Sequence, residues 1–278
     1  MDTVSSPMTG KTVLVTGATG GIGLETARAL AKMGVQVTLG ARDAARGQAV
    51  ADEIVRGGGR AELLEIDLAS FASVRRAAER FSAAHSRLDV LVNNAGIAER
   101  ERRLTADGHE LAWQTNFLSH FLLTRLLLPA LKAAPKPRVV NVSSEAHRSG
   151  RMDWDDLEIE RGRYSGYKAY ANTKLAQILF TRELARREAG ITVNAVHPGA
   201  IATGIWRAAP KFARWILGLV LPPPGKGARP VVRLASSPDV DGVSGQYFDK
   251  LREAVPAPAA TSDADAARLW QIAEKATG

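Results

Sequence analysis

No cysteine occurs among the 278 residues, which excludes disulfides and thiolate metal sites together and fits a reducing, cytoplasmic setting. No apolar run reaches membrane length either. The longest, FLSHFLLTRLLLPAL from Phe117 to Leu131, is broken by His120 and Arg125 and falls short of the roughly 20 residues a spanning helix needs. It reads as a buried or interface helix. The first nine residues, MDTVSSPMT, have neither the basic start nor the apolar centre of a secretory signal and read as a polar tail over 1–9. Low-complexity linkers and short repeats are missing, which leaves one domain over 10–278. Histidine is sparse: His85, His109, His120, His147 and His197 are dispersed without ligand spacing. No metal site is expected, and His147 and His197 at most line a pocket.

The chain does carry a formal charge of +8. Its basic residues are scattered, and the densest pairs, Arg75 with Arg76 and Arg186 with Arg187, lie on alanine-rich helical stretches. They read as solvated faces, so no nucleic-acid partner is expected. The excess can instead attract an anionic cofactor.

Short β-branched runs alternate with helical periodicity along most of the chain. TVLVT is followed by a glycine turn and GLETARALAKMG; VQVTLGA, AELLEID, LDVLVNN, RVVNVSS and ITVNAVH follow in turn, with helices between them that include one near 108–133 and one near 167–188. This alternation predicts an α/β, Rossmann-type doubly wound parallel sheet with helices on both faces. The two long helices carry more apolar surface than one sheet face needs, which predicts a homodimer or homotetramer. After about residue 200 the character changes to IWRAAPKFARWILGLVLPPPGKG. Because it follows a strand's carboxyl end, where such sheets bind ligands, the segment near 204–221 reads as a helical substrate lid; ordinary core and a membrane-touching patch are the other readings.

The turn TGATGGIG, from Thr16 to Gly23, stands between the first strand and the first helix. Glycines there let the backbone approach a pyrophosphate, and the helix N-terminus offers unpaired N–H donors. Gly17, Thr19, Gly20, Gly21, Ile22 and Gly23 are the candidate contacts. Gly17, Gly21 and Gly23 satisfy TGxxxGxG, while Gly17, Gly20 and Gly23 satisfy TGxxGxxG, and the turn alone cannot choose. At the end of the second strand, where a carboxylate would bind a ribose diol, stand Ala41 and then Arg42. A guanidinium there binds a 2′-phosphate in a forked, charge-assisted way, which predicts NADP(H) in preference to NAD(H). Asp43 is the rival feature, and its alternative role is to cap the next helix.

Further landmarks follow in order: IDL at 66–68, NNAG from Asn93 to Gly96, TNF around Asn116, NVSS from Asn141 to Ser144, YANTK at 170–174 and HPGAIAT at 197–203. This ordered set resembles the short-chain dehydrogenase/reductase family over about residues 10 to 250. NNAG and the chain length resemble its common short-chain type. TNFLSHFLLT, NTKLAQILFTRELARR, VHPG and SGQYF look like its retinol-dehydrogenase-like branch. The resemblance implies that Asp67 and Leu68 flank the adenine, that Asn93, Asn94, Ala95 and Gly96 run beside the cofactor, and that Thr203 meets the nicotinamide carboxamide, with Pro198, Gly199 and Ile201 nearby. It also implies Asn116, Ser144, Tyr170 and Lys174 as the catalytic four; neighbouring strand side chains point oppositely, which separates Ser143 from Ser144, and the family's active serine is the second of the pair.

YSGYKAYANTK contains two tyrosine–lysine pairs of equal spacing, Tyr164 with Lys168 and Tyr170 with Lys174. Thr173 before Lys174 and the continuation KLAQILF match the family form, whereas Ser165 and Gly166 suit a helix start. Tyr170 is therefore the expected acid/base and Tyr164 a helix-entry or pocket-rim residue. Hydride transfer to a ketone leaves a negative oxygen that needs a proton donor and a hydrogen-bond donor. Tyrosine, with a reference pKa of about 10, is only about one part in a thousand ionised at pH 7. A lysine one helical turn away, at about 5 Å and an effective dielectric of about 20, contributes about 3.3 kcal/mol, or about 2.4 pH units toward ionisation. In this reading Lys174 also binds the ribose, Ser144 orients the carbonyl and Asn116 holds a proton-relay water.

The resulting expectation is an NADP(H)-dependent oxidoreductase interconverting a lipophilic alcohol and its ketone or aldehyde. A ketoreductase tailoring an acyl or polyketide intermediate is the second reading. A non-catalytic NADP(H)-sensing protein is the third, and the presence of all four catalytic residue types speaks against it.

Overall fold

A computed structural model describes residues 8–199 and 222–278. The lid near 204–221, Ile201 and Thr203 lie outside the described residues, as does the tail up to residue 7. Met8, expected in the tail, is buried beside Val13 and Val35, so the folded unit begins before residue 10.

Eight strands form one sheet: β1 (Thr12–Thr16), β2 (Gln36–Ala41), β3 (Arg60–Glu65), β4 (Val90–Asn93), β5 (Arg138–Val142), β6 (Thr192–His197), β7 (Tyr247–Asp249) and β8 (Arg252–Glu253). Their spatial order is β3-β2-β1-β4-β5-β6-β7-β8, parallel throughout except for β8 against β7. The order reverses between β1 and β4, and in such sheets the crevice outside the carboxyl ends at that point is where ligands bind. β7 and β8, too short to show a period, extend the sheet beyond the series read from sequence.

Alternation along the strands feeds two cores. Val13 and Val15 of β1 face one side, with α1 (Gly21–Ala31), α2 (Ala44–Arg56) and, later in the chain, the helix Pro224–Ser236. Leu14 faces the other side, with α3 (Phe71–Ala84) and the helices that follow it.

The helix expected near 108–133 is not continuous. It starts with α4 (Leu111–Trp113), widens into a π turn over Gln114–Leu118, continues as α5 (Ser119–Leu126), breaks at Leu127 and restarts as α6 (Leu128–Lys132) with Pro129 in its first turn. Proline explains the restart, since it has no N–H to continue a helical ladder. Burying Asn116 in the π turn is a functional matter taken up below.

The helix near 167–188 is α7 (Gly166–Arg187), capped by Ser165. Numbering onward, α8 is Pro224–Ser236 and α9 is Asp263–Thr277. α9 changes the meaning of the apolar surplus on α5 and α7. Its Trp270 ring lies 4.9 Å from Phe121 and 6.0 Å from Phe180, Arg187 stacks over it, and Arg182 binds Asp263 at 2.8 Å. Surface on which pairing between subunits was expected is thus core within one chain, and the oligomer loses that support.

Candidate active site

β1 ends at Thr16, and the turn through Gly17, Thr19 and Gly20 delivers the chain to Gly21, Ile22 and Gly23 in the first turn of α1. Gly17 and Gly21 have φ of 67° and 56°, the left-handed region that other residues avoid. A Cβ on Gly23 would sit 2.4 Å from Asn94 Nδ2 and 2.5 Å from the Gly17 carbonyl. Gly20 is extended and a Cβ there would meet only an Arg46 nitrogen at 3.3 Å. The backbone therefore uses the TGxxxGxG set, the choice that spacing left open. No side chain caps α1, so its first N–H groups and the positive end of its dipole fit a pyrophosphate.

Arg42, exposed, follows the end of β2. Asp43 is occupied: its Oδ1 accepts from the Arg46 N–H at 3.0 Å as the cap of α2. Arg46 lies beside Gly20, a second cation at the turn that sequence reasoning missed. Its position in the first turn of a helix capped by Asp43 was the available signal. Asp67 and Leu68 follow β3; Asp67 Oδ1 accepts from the Ala69 N–H, and the Leu68 carbonyl accepts from the Ser119 hydroxyl.

Asn93 ends β4 with its side chain turned inward, donating to Thr124 Oγ1 and Asn141 Oδ1. Asn94 ties the turn down, its backbone N–H donating to Thr16 Oγ1 and its amide to the Thr16 carbonyl. Ala95 N–H donates to the same hydroxyl at 3.0 Å. A Cβ on Gly96 would lie 3.4 Å from Lys174 Nζ, so this segment joins the phosphate turn to the lysine. Pro198 and Gly199 follow β6 on the same edge of the sheet.

Ser144, Tyr170 and Lys174 converge here. Ser143 turns its hydroxyl into the interior to donate to the Lys174 carbonyl at 2.7 Å, whereas the Ser144 hydroxyl lies by Tyr170 and favours its ionised form. His147 donates from Nδ1 to the Ser144 carbonyl at 2.7 Å and accepts at Nε2 from the Ala257 N–H at 3.0 Å, so it fastens the serine's backbone. Lys174 Nζ lies 5.3 Å from the Tyr170 ring centre. Asn116 is buried, with Oδ1 accepting from the Ile97 N–H and Nδ2 donating to the Ile97 carbonyl and Thr173 Oγ1. Its side chain is fully engaged, and its backbone carbonyl accepts from Gln177 Nε2 at 2.9 Å.

The expected fall in the tyrosine's pKa is not found. Burial pushes the Tyr170 hydroxyl up to about 12, against the lowering effect of Ser144. The Coulomb arithmetic took the lysine charge as given, but burial brings Lys174 itself down to about 7, because the low-dielectric interior disfavours the ammonium as it disfavours the phenolate. Tyr170 is consequently a protonated donor at neutral pH.

The sequence profile of the short chain dehydrogenase family matches residues 11–213. The chain belongs to this family. It is 41% identical to Retinol dehydrogenase 14 of Homo sapiens, across 98% of this chain and 87% of that protein, and 41% identical to Polyprenol dehydrogenase of Mus musculus, across 99% and 86%. The structure of the Pseudomonas aeruginosa RhlG/NADP active-site complex superposes with a TM-score of 0.72 at 28% identity, covering 90% of this chain and 97% of that one. Within the family this chain falls in the retinol-dehydrogenase-like branch. It is an oxidoreductase for alcohol or carbonyl groups that binds a nicotinamide cofactor. Among the described residues, no helix is long and apolar enough to cross a membrane.

Proposed function

We propose that this short-chain dehydrogenase interconverts a lipophilic alcohol and its ketone or aldehyde with NADP(H). The observation that carries the reading is the convergence of Ser144 and Lys174 on Tyr170 at the carboxyl edge of the sheet. The nicotinamide dinucleotide, when bound, supplies or takes up the hydride. Tyr170 gives its proton to the carbonyl oxygen in reduction and recovers it in oxidation. Ser144 donates a second hydrogen bond to that oxygen and fixes its orientation. Lys174 stabilises the phenolate left after proton transfer and has an N–H to spare for a ribose hydroxyl. The named substrates of the two relatives, retinol and polyprenol, are long apolar alcohols, which supports a lipophilic substrate.

Arg42, with Arg46 behind it and Asp43 spent on a helix cap, supports NADP(H) over NAD(H). The wild type should reduce a carbonyl faster with NADPH than with NADH at equal concentration. Arg42→Ala should raise the KM for NADPH by about 10- to 100-fold, the worth of a charge-assisted hydrogen bond, and leave that for NADH unchanged. A wild-type preference for NADH would overturn the cofactor assignment.

A further inference from the structure

The side chain of Gln177 lies one helical turn beyond Lys174 and is 1% exposed. Its Oε1 accepts from Lys174 Nζ at 3.0 Å, and its Nε2 donates to the Asn116 carbonyl at 2.9 Å. That carbonyl also receives His120 Nδ1 at 2.9 Å, and His120 Nε2 stands 2.9 Å from Thr16 Oγ1. The π turn is what makes this arrangement available: the wider turn shifts the local register and lets one carbonyl serve two side chains.

Chemistry fixes every polarity in the chain. A carbonyl only accepts, so both groups facing Asn116 must donate. The Gln177 amide then has one orientation, with its oxygen toward the ammonium. His120 carries its proton on Nδ1, burial brings it down to about 4 and keeps it neutral, and its Nε2 lone pair accepts from the Thr16 hydroxyl, which also reaches the Val92 carbonyl at 3.3 Å. Thr16 Oγ1 in turn accepts from the N–H groups of Asn94 and Ala95. Two series of hydrogen bonds, one from the phosphate turn through His120 and one from Lys174 through Gln177, thus converge on the Asn116 carbonyl. Lys174 spends two of its three N–H bonds, on the Val142 carbonyl at 2.8 Å and on Gln177.

We propose that Gln177 is a positioning residue for the reaction: it anchors the Lys174 ammonium beside Tyr170 and couples it, through the Asn116 carbonyl and His120, to the phosphate turn. It touches neither substrate nor cofactor and acts through Lys174. The proposal rests on the assignment of Tyr170 and Lys174 above. Among the described residues Gln177 is the one side chain that accepts from Lys174, and burial opposes the charge there with no carboxylate acting against it. The titratable groups facing the ammonium are Tyr170 on its own helix and neutral His120 on α5. The Val142 carbonyl and Gln177 are thus the acceptors that hold the ammonium, and of the two only Gln177 is a side chain that substitution can change.

The Lys174 titration is read directly by carbon-13 NMR of lysine Cε in the full chain, assigned by the resonance missing from Lys174→Met. Gln177→Met, which removes the acceptor, should move the midpoint down by about one pH unit, and Gln177→Glu, which places a carboxylate there, should move it up by at least about as much. With decanal and NADPH as the probe, the alkaline limb of kcat should follow in the same two directions, where a merely structural role would lower kcat at every pH without moving it. Gln177→Glu preserves size and shape, so it keeps the test open should the methionine variant fold poorly. Midpoints unchanged in Gln177→Glu would overturn the proposal. Tyr170→Phe, assayed in parallel, separates the two ideas: retained turnover there would sink the acid/base assignment while the NMR result stood.

Discussion

The two tyrosine–lysine pairs of YSGYKAYANTK share their spacing and sit six residues apart, yet the fold treats them as different objects. Tyr164 lies before α7, whereas Lys168, Tyr170 and Lys174 lie within it. Six residues are not a whole number of helical turns, so the second lysine is rotated away from the first. Tyr170 and Lys174 face the sheet, with Lys174 2% exposed and its Nζ 5.3 Å from the Tyr170 ring centre. Tyr164 precedes the helix cap, its hydroxyl donates to Glu110 Oε1 at 3.0 Å, and Lys168 is exposed. Equal spacing therefore brings a tyrosine and a lysine together only where both lie in the helix, at Tyr170 and Lys174. The largest expected contrast is in turnover. Tyr170→Phe should lower kcat about a thousandfold, within the range of lost general acid/base catalysis, and leave NADPH binding by fluorescence titration intact. Tyr164→Phe should stay within about twofold of wild type, and the reverse ordering would show that the chemistry belongs to the first pair.

The supports behind the two pairs should also answer acid with opposite signs. His120, under Lys174, has an unfolded value near 6.5 and a folded one of about 4. Its contribution is fully present above pH 6.5 and is lost as pH falls toward 4, about 3 kcal/mol in all for a group this deeply buried. Glu110, under Tyr164, is raised by burial, so the native state takes up its proton first and stability is gained as pH falls through that window. Urea midpoints at pH 7 and pH 4 check this. Relative to wild type, His120→Asn should lose less stability on acidification and Glu110→Gln should lose more; parallel curves would mean that neither group titrates differently on folding.

How much of this was legible follows the range of the interactions. Local signals served well: βα alternation gave the first six strands, and Asp43, Ser70 and Ser165 are helix caps of the kind their side chains favour. The catalytic candidates on the described residues come together because landmarks at strand ends are brought to one edge by a parallel sheet. What stayed hidden was nonlocal. His120 meets Thr16 across 104 residues and Gln177 meets Asn116 across 61, and no periodicity encodes such a meeting. The π turn interrupts an apolar pattern that reads equally well as a plain helix. Trp270 fills a gap between α5 and α7 that looked, from those helices alone, like a surface for another subunit. The pKa of Tyr170 was misjudged for the same reason, since burial of both partners outweighs their proximity.

The smallest expected effect sharpens the comparison most, because it reverses the ranking. Tyr164 supplies a hydrogen bond to a carboxylate that also caps α4, accepting from the N–H groups of Ala112 and Trp113 at 2.9 and 2.7 Å. Removing its hydroxyl leaves a buried acceptor short of a partner, at a cost of about 1–3 kcal/mol. Among the described residues the Tyr170 hydroxyl has no such structural dependant, and Ser144 beside it accepts from the Ala146 N–H. Chemical denaturation should therefore find Tyr164→Phe less stable than Tyr170→Phe by about 1–2 kcal/mol, in the variant whose turnover is nearly normal. One tyrosine of the pair of pairs would then be costly to the fold and cheap to the reaction, the other the reverse. Equal stabilities would mean that the Tyr164–Glu110 bond exchanges freely with solvent and adds nothing to the fold.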